Sequence, residues 1–277
     1  MNAISQIFTR MHSHNTFVCV GLDPDLSKIP LDISNQKFSD EEKMFEFLKG
    51  AIDATAQHVC VYKAQKAFFD TLSGGHDVLK EIITYVHKTY PGLNVIIDCK
   101  IGDIDNTMSA YIKTIFNKLN ADGVVANPYM GDDTMVPLAD LGDKAIISLV
   151  KTSNVSGGVI QDVLLENGLP LWMYVMNLVV NKWNYNKNMI PVISSNSMIN
   201  MLEVRSLIPN DMLILLAGVG AQGGNYNDLH LLLNSGNTGV FVNSSRGILY
   251  PNSQHVWQVG IENAVIELKN SLNKERR

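Results

Sequence analysis

Residues 94–107 read Asn94-Val95-Ile96-Ile97-Asp98-Cys99-Lys100-Ile101-Gly102-Asp103-Ile104-Asp105-Asn106-Thr107. The stretch opens as a short apolar, β-branched run and turns abruptly into charge. A run of this length and character fits a strand covered on both faces, as in a parallel sheet flanked by helices. Seven more such runs lie on either side of this one at 94–98, at 17–22, 59–63, 123–127, 145–150, 190–194, 213–217 and 239–243. Between runs, the stretches 40–57, 75–90, 107–120 and 225–235 carry apolar residues at three- and four-residue spacing, which predicts helices with one buried face. Strand and helix therefore alternate. Eight parallel strands with crossover helices predict an α/β fold that closes most economically as a (β/α)8 TIM barrel, with an open doubly wound sheet as the alternative. The polar stretches 31–40 and 181–188 read as loops, and 152–186 is long enough for a lid-type loop plus a helix.

Composition agrees with one large core. The chain has 277 residues, 46% of them apolar, and barrels of this size form as single domains, so one domain over 1–277 is expected. A net charge of -5 supplies no broad basic field for nucleic acid or an anionic membrane, so any anion binding must be local. The N-terminus lacks a basic segment followed by a long apolar stretch, and no apolar run reaches the roughly 18 residues of a membrane span; a cytoplasmic protein is expected. Cys19, Cys60 and Cys99 are odd in number, sit in apolar runs and lack Cys-x-x-Cys spacing, which predicts reduced core thiols. The seven histidines show no metal-ligand spacing, Trp172, Trp183 and Trp257 read as packing residues, and the C-terminal residues 274–277 read as a solvated tail.

In such a barrel the C-terminal strand ends build the site. Polar residues gather there: Asp23 after the first run, Lys63 at the second, Asp98, Lys100 and Asp103 at the third. Lys151, Thr152, Ser153 and Asn154 follow the fifth run, and Ser244, Ser245 and Arg246 the eighth. Strand alternation puts Asp98 and Lys100 on one face, where Lys63 also arrives. Each carboxylate stabilises the neighbouring ammonium, which makes burial of the set tolerable. Spacing alone leaves open a purely structural ion-pair network at the rim. Likewise, the glycine-rich run 218–224 would let backbone amides approach an anion, with Gln222 and Arg246 as further donors, or would be a plain turn.

These stretches, taken together, resemble the orotidine 5'-monophosphate decarboxylase family. The Asp98-x-Lys100-x-x-Asp103 run is similar to the family's charged signature. Val20-Gly21-Leu22-Asp23-Pro24-Asp25 resembles its first-strand motif and Tyr62-Lys63-Ala64-Gln65 its second-strand lysine. Val150-Lys151-Thr152-Ser153-Asn154 resembles its pyrimidine-binding strand end. Gly218-Val219-Gly220-Ala221-Gln222-Gly223-Gly224 and Asn243-Ser244-Ser245-Arg246-Gly247 resemble its two phosphate-gripping elements. The match runs in family order over about 17–250 and is nearest the longer-chain branch with the Gly-Ala-Gln-Gly loop. The resemblance implies a cofactor-free and metal-free decarboxylase with Lys63, Asp98, Lys100 and Asp103 as the catalytic array. It implies substrate contacts from Asp23, Gln65, Thr107, Ser153, Asn154, Gly220, Gln222 and Arg246. It also implies a homodimer in which Asp103 and Thr107 reach the neighbouring subunit's site.

Three positions depart from the family's common pattern: Ile101 stands where a basic residue often follows the lysine, Val155 and Ser156 where Pro-Gly often follows, and Ala217 where proline often precedes the glycine loop. None removes a charged participant; they bear on the lid. The nearest rival is a magnesium-dependent sugar-phosphate lyase or decarboxylase on the same scaffold, which would carry a glutamate at the end of strand two. Lys63 puts a cation where that metal needs an anion. A catalytically silent nucleotide-phosphate-binding barrel would be expected to have lost one of the four charged residues, and all four are present.

Overall fold

A computed structural model describes residues 1–195, 200–218, 226–252 and 256–276. Eight strands, β1 (Val18–Leu22), β2 (Val61–Gln65), β3 (Asn94–Ile101), β4 (Gly123–Ala126), β5 (Ala145–Leu149), β6 (Met189–Ser194), β7 (Ile214–Ala217) and β8 (Val240–Ser244), form a closed barrel in chain order. Every neighbouring pair is parallel, and the ring closes where Val18 pairs with Val242. The open sheet is thereby excluded. All eight apolar runs become strands, with ends within three residues of those expected.

Strand alternation divides the apolar side chains between two cores. Cys19, Val61, Ile96, Val125, Ile147, Val192, Leu215 and Phe241 fill the barrel interior. Their neighbours Val18, Val20, Tyr62, Val95, Ile97, Val124, Ile146, Ile193 and Leu216 face outward into the layer between barrel and helices. The interior is tight at β4. A Cβ on Gly123 would lie 2.4 Å from the Ala145 carbonyl oxygen, so no side chain fits there.

The expected helix at 40–57 spans Asp40–Thr55. Ser39 and Glu42 start it by reciprocal capping, each side chain accepting the other's backbone N–H (3.2 and 2.7 Å), and its first turn is acidic. Its buried stripe of Met44, Phe47, Leu48, Ala51 and Ile52 packs on the barrel beside the stripe of Gly75–Thr89. The helix expected at 107–120 begins earlier, at Asp105, and widens into an i→i+5 turn over Lys113–Lys118. The stretch expected as helix at 225–235 contains one turn, Leu229–Leu232, among its described residues.

Several elements differ from the sequence reading. The loop 31–40 contains a helical turn, Leu31–Ser34. Two terminal helices, Ala3–Ser13 and Trp257–Lys274, were not anticipated. The first plugs the bottom of the barrel: Ile4, Ile7 and Met11 join the interior core, and Arg10 donates to the Val59 and Ala56 carbonyls. Within the expected solvated tail, Arg277 lies outside the described residues and Arg276 is anchored. Arg276 donates to the Asn237 carbonyl (2.9 Å) and to Asn15, and its guanidinium lies 4.5 Å from the centre of the Phe17 ring. The tryptophans do pack: Trp172 and Trp183 are buried, and Trp257 lies 5.4 Å from Phe47 ring to ring. Cys19 and Cys60 are buried, Cys99 partly so, and none forms a disulfide. Burial pushes the Cys19 thiol up to about 12 and that of Cys99 up to about 11, so both stay protonated at neutral pH. No helix among the described residues is long and apolar enough to cross a membrane.

Candidate active site

The strands deliver their C-terminal ends to one cavity of about 550 Å³. Asp23 comes from the end of β1, Lys63 and Gln65 from β2, Asp98 and Lys100 from β3. Ser153 and Asn154 follow β5, and Arg246 follows β8. Eight of the twelve expected site residues thus line a single space. The charged lining comprises three cations, Lys63, Lys100 and Arg246, and two carboxylates, Asp23 and Asp98. That balance suits an anionic ligand.

Asp98 organises the array. Its Oδ2 accepts from Lys63 Nζ at 2.8 Å and its Oδ1 from Lys100 Nζ at 2.6 Å. Lys63 and Asp98 are buried, whereas the Lys100 side chain keeps 48% of its surface open toward the cavity. Burial opposes charge on Asp98, but the two ammonium groups outweigh it and hold the carboxyl below its ordinary value. Burial likewise pulls Lys63 down, and Asp98 with Asp23 outweighs that pull, leaving Lys63 above the ordinary lysine value. Asp98 and Lys63 both carry charge at neutral pH.

The backbone departs from simple alternation at the key residue. Pairing of β3 with β4 runs regularly to Asp98–Val125, then skips to Ile101–Ala126, and Lys100 sits in the bulge at φ +47°. A lysine gains nothing locally from the left-handed region, so the surrounding sheet imposes it. The bulge aims Lys100 back at Asp98 and releases the chain into the following loop.

Asp103 and Thr107 do not line this chain's cavity. The Asp103 carboxylate accepts from the Ile104 amide at 2.8 Å, and Thr107 is exposed near the start of the helix Asp105–Ile112. Within one chain, therefore, Lys100 is paired with Asp98 and not held between Asp98 and Asp103. Gly220 and Gln222 lie outside the described residues. Gly218 and Arg246 do meet in the cavity, from the ends of β7 and β8.

Asp23 Oδ1 is buried without a hydrogen-bond partner, an acceptor that faces the cost of desolvation until a donor reaches it. Sequence reasoning missed Gln161, which enters the cavity from the helical turn Gly158–Gln161 and grips Thr152, nine residues back. It placed Asn243 in a phosphate-gripping stretch without giving it a role; this residue also lines the cavity, and its Oδ1 accepts from Cys19 Sγ at 3.5 Å. Among the described residues, no three His, Cys, Asp or Glu side chains gather as they would around a metal ion.

Fold and site together define a (β/α)8-barrel protein with a charged ligand site at the strand ends and a cation, Arg246, at the β7–β8 end where such barrels bind phosphate. The orotidine 5'-phosphate decarboxylase / HUMPS family matches residues 16–254, and this chain belongs to that family. An orotidine 5'-phosphate decarboxylase of Janthinobacterium sp. (strain Marseille) is 34% identical over 278 residues, covering 99% of each chain. That of Ralstonia nicotianae is 36% identical over 257 residues, 91% of each. Among solved structures, an OMP decarboxylase of Leishmania donovani is 28% identical with a TM-score of 0.82, covering 100% of this chain and 99% of that one. Its activity is that of a carboxy-lyase, converting orotidine 5'-monophosphate to uridine 5'-monophosphate and CO2 in pyrimidine biosynthesis.

Proposed function

We propose that the Lys63–Asp98–Lys100 array, completed by Asp103 of a second copy, drives this decarboxylation by fixed charge. The observation that carries the reading is the double grip of Asp98 on both lysines. Loss of CO2 breaks the bond from C6 to the carboxylate and leaves the electron pair in the plane of the ring, where the pyrimidine offers no delocalising sink. Lys100, the open member of the array, stabilises that pair and transfers a proton to C6; the neutral amine then regains a proton from solvent. Asp98 orients Lys100 and lies on the side of the departing carboxylate.

The remaining roles follow the cavity's walls. Asp23, with its unpartnered buried oxygen, accepts from ribose hydroxyls, and Lys63 and Gln65 bridge ribose and array. Ser153 and Asn154 meet the pyrimidine edge. Arg246, with Gly220 and Gln222, holds the phosphate, whose binding energy supports the costly geometry at C6. Asp103 and Thr107 act across a homodimer interface, a reading supported by their position outside their own chain's cavity. The chain functions as one domain, in the cytoplasm.

The test is hydrogen exchange. Uridine 5'-monophosphate incubated with the protein in D2O is expected to acquire deuterium at C6, and Lys100→Ala should slow this by at least about a thousandfold. Equal exchange by the variant would remove Lys100 from the proton-transfer role.

A further inference from the structure

Lys151, Gln161 and Asp162 are not assigned by the charge mechanism, yet they form a built device at the end of β5. Gln161 Oε1 accepts the Thr152 backbone N–H at 3.0 Å. A backbone N–H donates and never accepts, so this contact fixes which end of the Gln161 amide is oxygen. Its Nε2 then donates to Thr152 Oγ1 at 2.8 Å. The hydroxyl has one proton, and it goes to Asn154 Oδ1 at 2.6 Å. Polarity therefore runs one way along the chain of bonds, from Gln161 through Thr152 to Asn154. The Asn154 oxygen is committed, and the amide's other end, a donor, remains for the cavity it borders.

Two glycines show that this packing is specific. A Cβ on Gly157 would lie 2.9 Å from Thr152 Oγ1, 3.2 Å from Gln161 Oε1 and 3.3 Å from Asn154 Oδ1, so the three side chains occupy the space a fourth would need. A Cβ on Gly158 would lie 2.6 Å from Asp162 Oδ2. Asp162 in turn pairs with buried Lys151, clamping the strap that carries Gln161.

We propose that Gln161 is a positioning residue that sets the hydrogen-bond polarity of the β5 end, so that Asn154 selects a pyrimidine with a carbonyl, rather than an amino group, on the edge it meets. The proposal rests on the reading that Ser153 and Asn154 contact the base. A dione ring accepts from the Asn154 N–H, whereas a 4-amino ring turns N–H against N–H and loses the bond.

The experiment compares uridine 5'-monophosphate, cytidine 5'-monophosphate and ribose 5-phosphate as competitive inhibitors of the full chain. Gln161→Glu preserves length and still accepts the Thr152 amide, but the carboxylate also accepts the Thr152 hydroxyl proton and withdraws it from Asn154. The expected result is a loss of about tenfold in the preference for the uridine over the cytidine nucleotide, one hydrogen bond's worth, with ribose 5-phosphate unchanged. Gly157→Ala, which keeps Gln161 but wedges the relay apart, is expected to lower the same ratio and reads the proposal if the first variant does not fold. A preference unchanged in both variants, or all three ligands weakened equally, overturns it. Absence of turnover of orotidine 5'-monophosphate by the unmodified chain would instead defeat the reading on which it rests.

Discussion

Asp98 holds two ammonium groups with one carboxylate, and its substitution exposes what that arrangement costs. Asp98→Ala leaves Lys63 buried without its partner, which should lower unfolding stability by about 3–5 kcal/mol in denaturant titrations. The sign of the pH dependence follows from the shifts. Asp98 lies below its unfolded value, so its contribution is complete above about pH 4 and lost as pH falls through the folded value. Lys63 lies above its unfolded value, so its contribution is complete below about pH 10 and lost as pH rises through the folded value. Thermal unfolding followed against pH should therefore show no contribution from the pair to any slope between about pH 5 and 9. A carboxyl carbon NMR signal of Asp98 that titrates within that window would refute the assignment. The charge cluster was legible from Asp98, Lys100 and Lys63 at strand ends. The route to it was not: the bulge at Lys100 breaks the alternation that predicted it, because pairing with β4 decides local register and is invisible along one strand.

The terminal helices and the β5 strap show what elements add. Ile4, Ile7 and Met11 carry helical spacing in the sequence, but that this helix closes the barrel floor depends on tertiary contact with Cys60, Val61 and Ile96. Ile7→Ala, far from the cavity, should cost about 2–4 kcal/mol of stability while turnover per folded molecule stays unchanged; reduced turnover at full folding would argue that the plug tunes the site. The strap is similar. Gly157-Gly158 was a signal of close packing that the sequence reading left unused, and the grip of Gln161 on Thr152 depends on a chain reversal that periodicity does not encode. Strands were read well because parallel barrel strands are apolar throughout. Short helical turns such as Leu31–Ser34 and Gly158–Gln161 are too brief to show a period.

At the scale of the whole molecule, one chain supplies Asp98, Lys63 and Lys100 to its cavity but keeps Asp103 and Thr107 outside it. Two-fold pairing of copies would complete two sites at once. Mixing inactive Lys100→Ala with inactive Asp103→Ala, after dissociation and reassociation, should restore about a quarter of native activity, because half of the dimers are mixed and each has one intact site. No recovery on mixing would place Asp103 in its own chain's site.

The claim on which the rest depends is that fixed side-chain charge, with Lys100 at its centre, performs the chemistry. It is tested most directly by following the absorbance loss of orotidine 5'-monophosphate in excess EDTA, with the native chain and Lys100→Ala side by side. The account predicts full turnover in EDTA by the native chain and a loss of at least about a thousandfold in a folded Lys100→Ala variant. Turnover that EDTA abolishes, or that survives without the Lys100 ammonium, would contradict it.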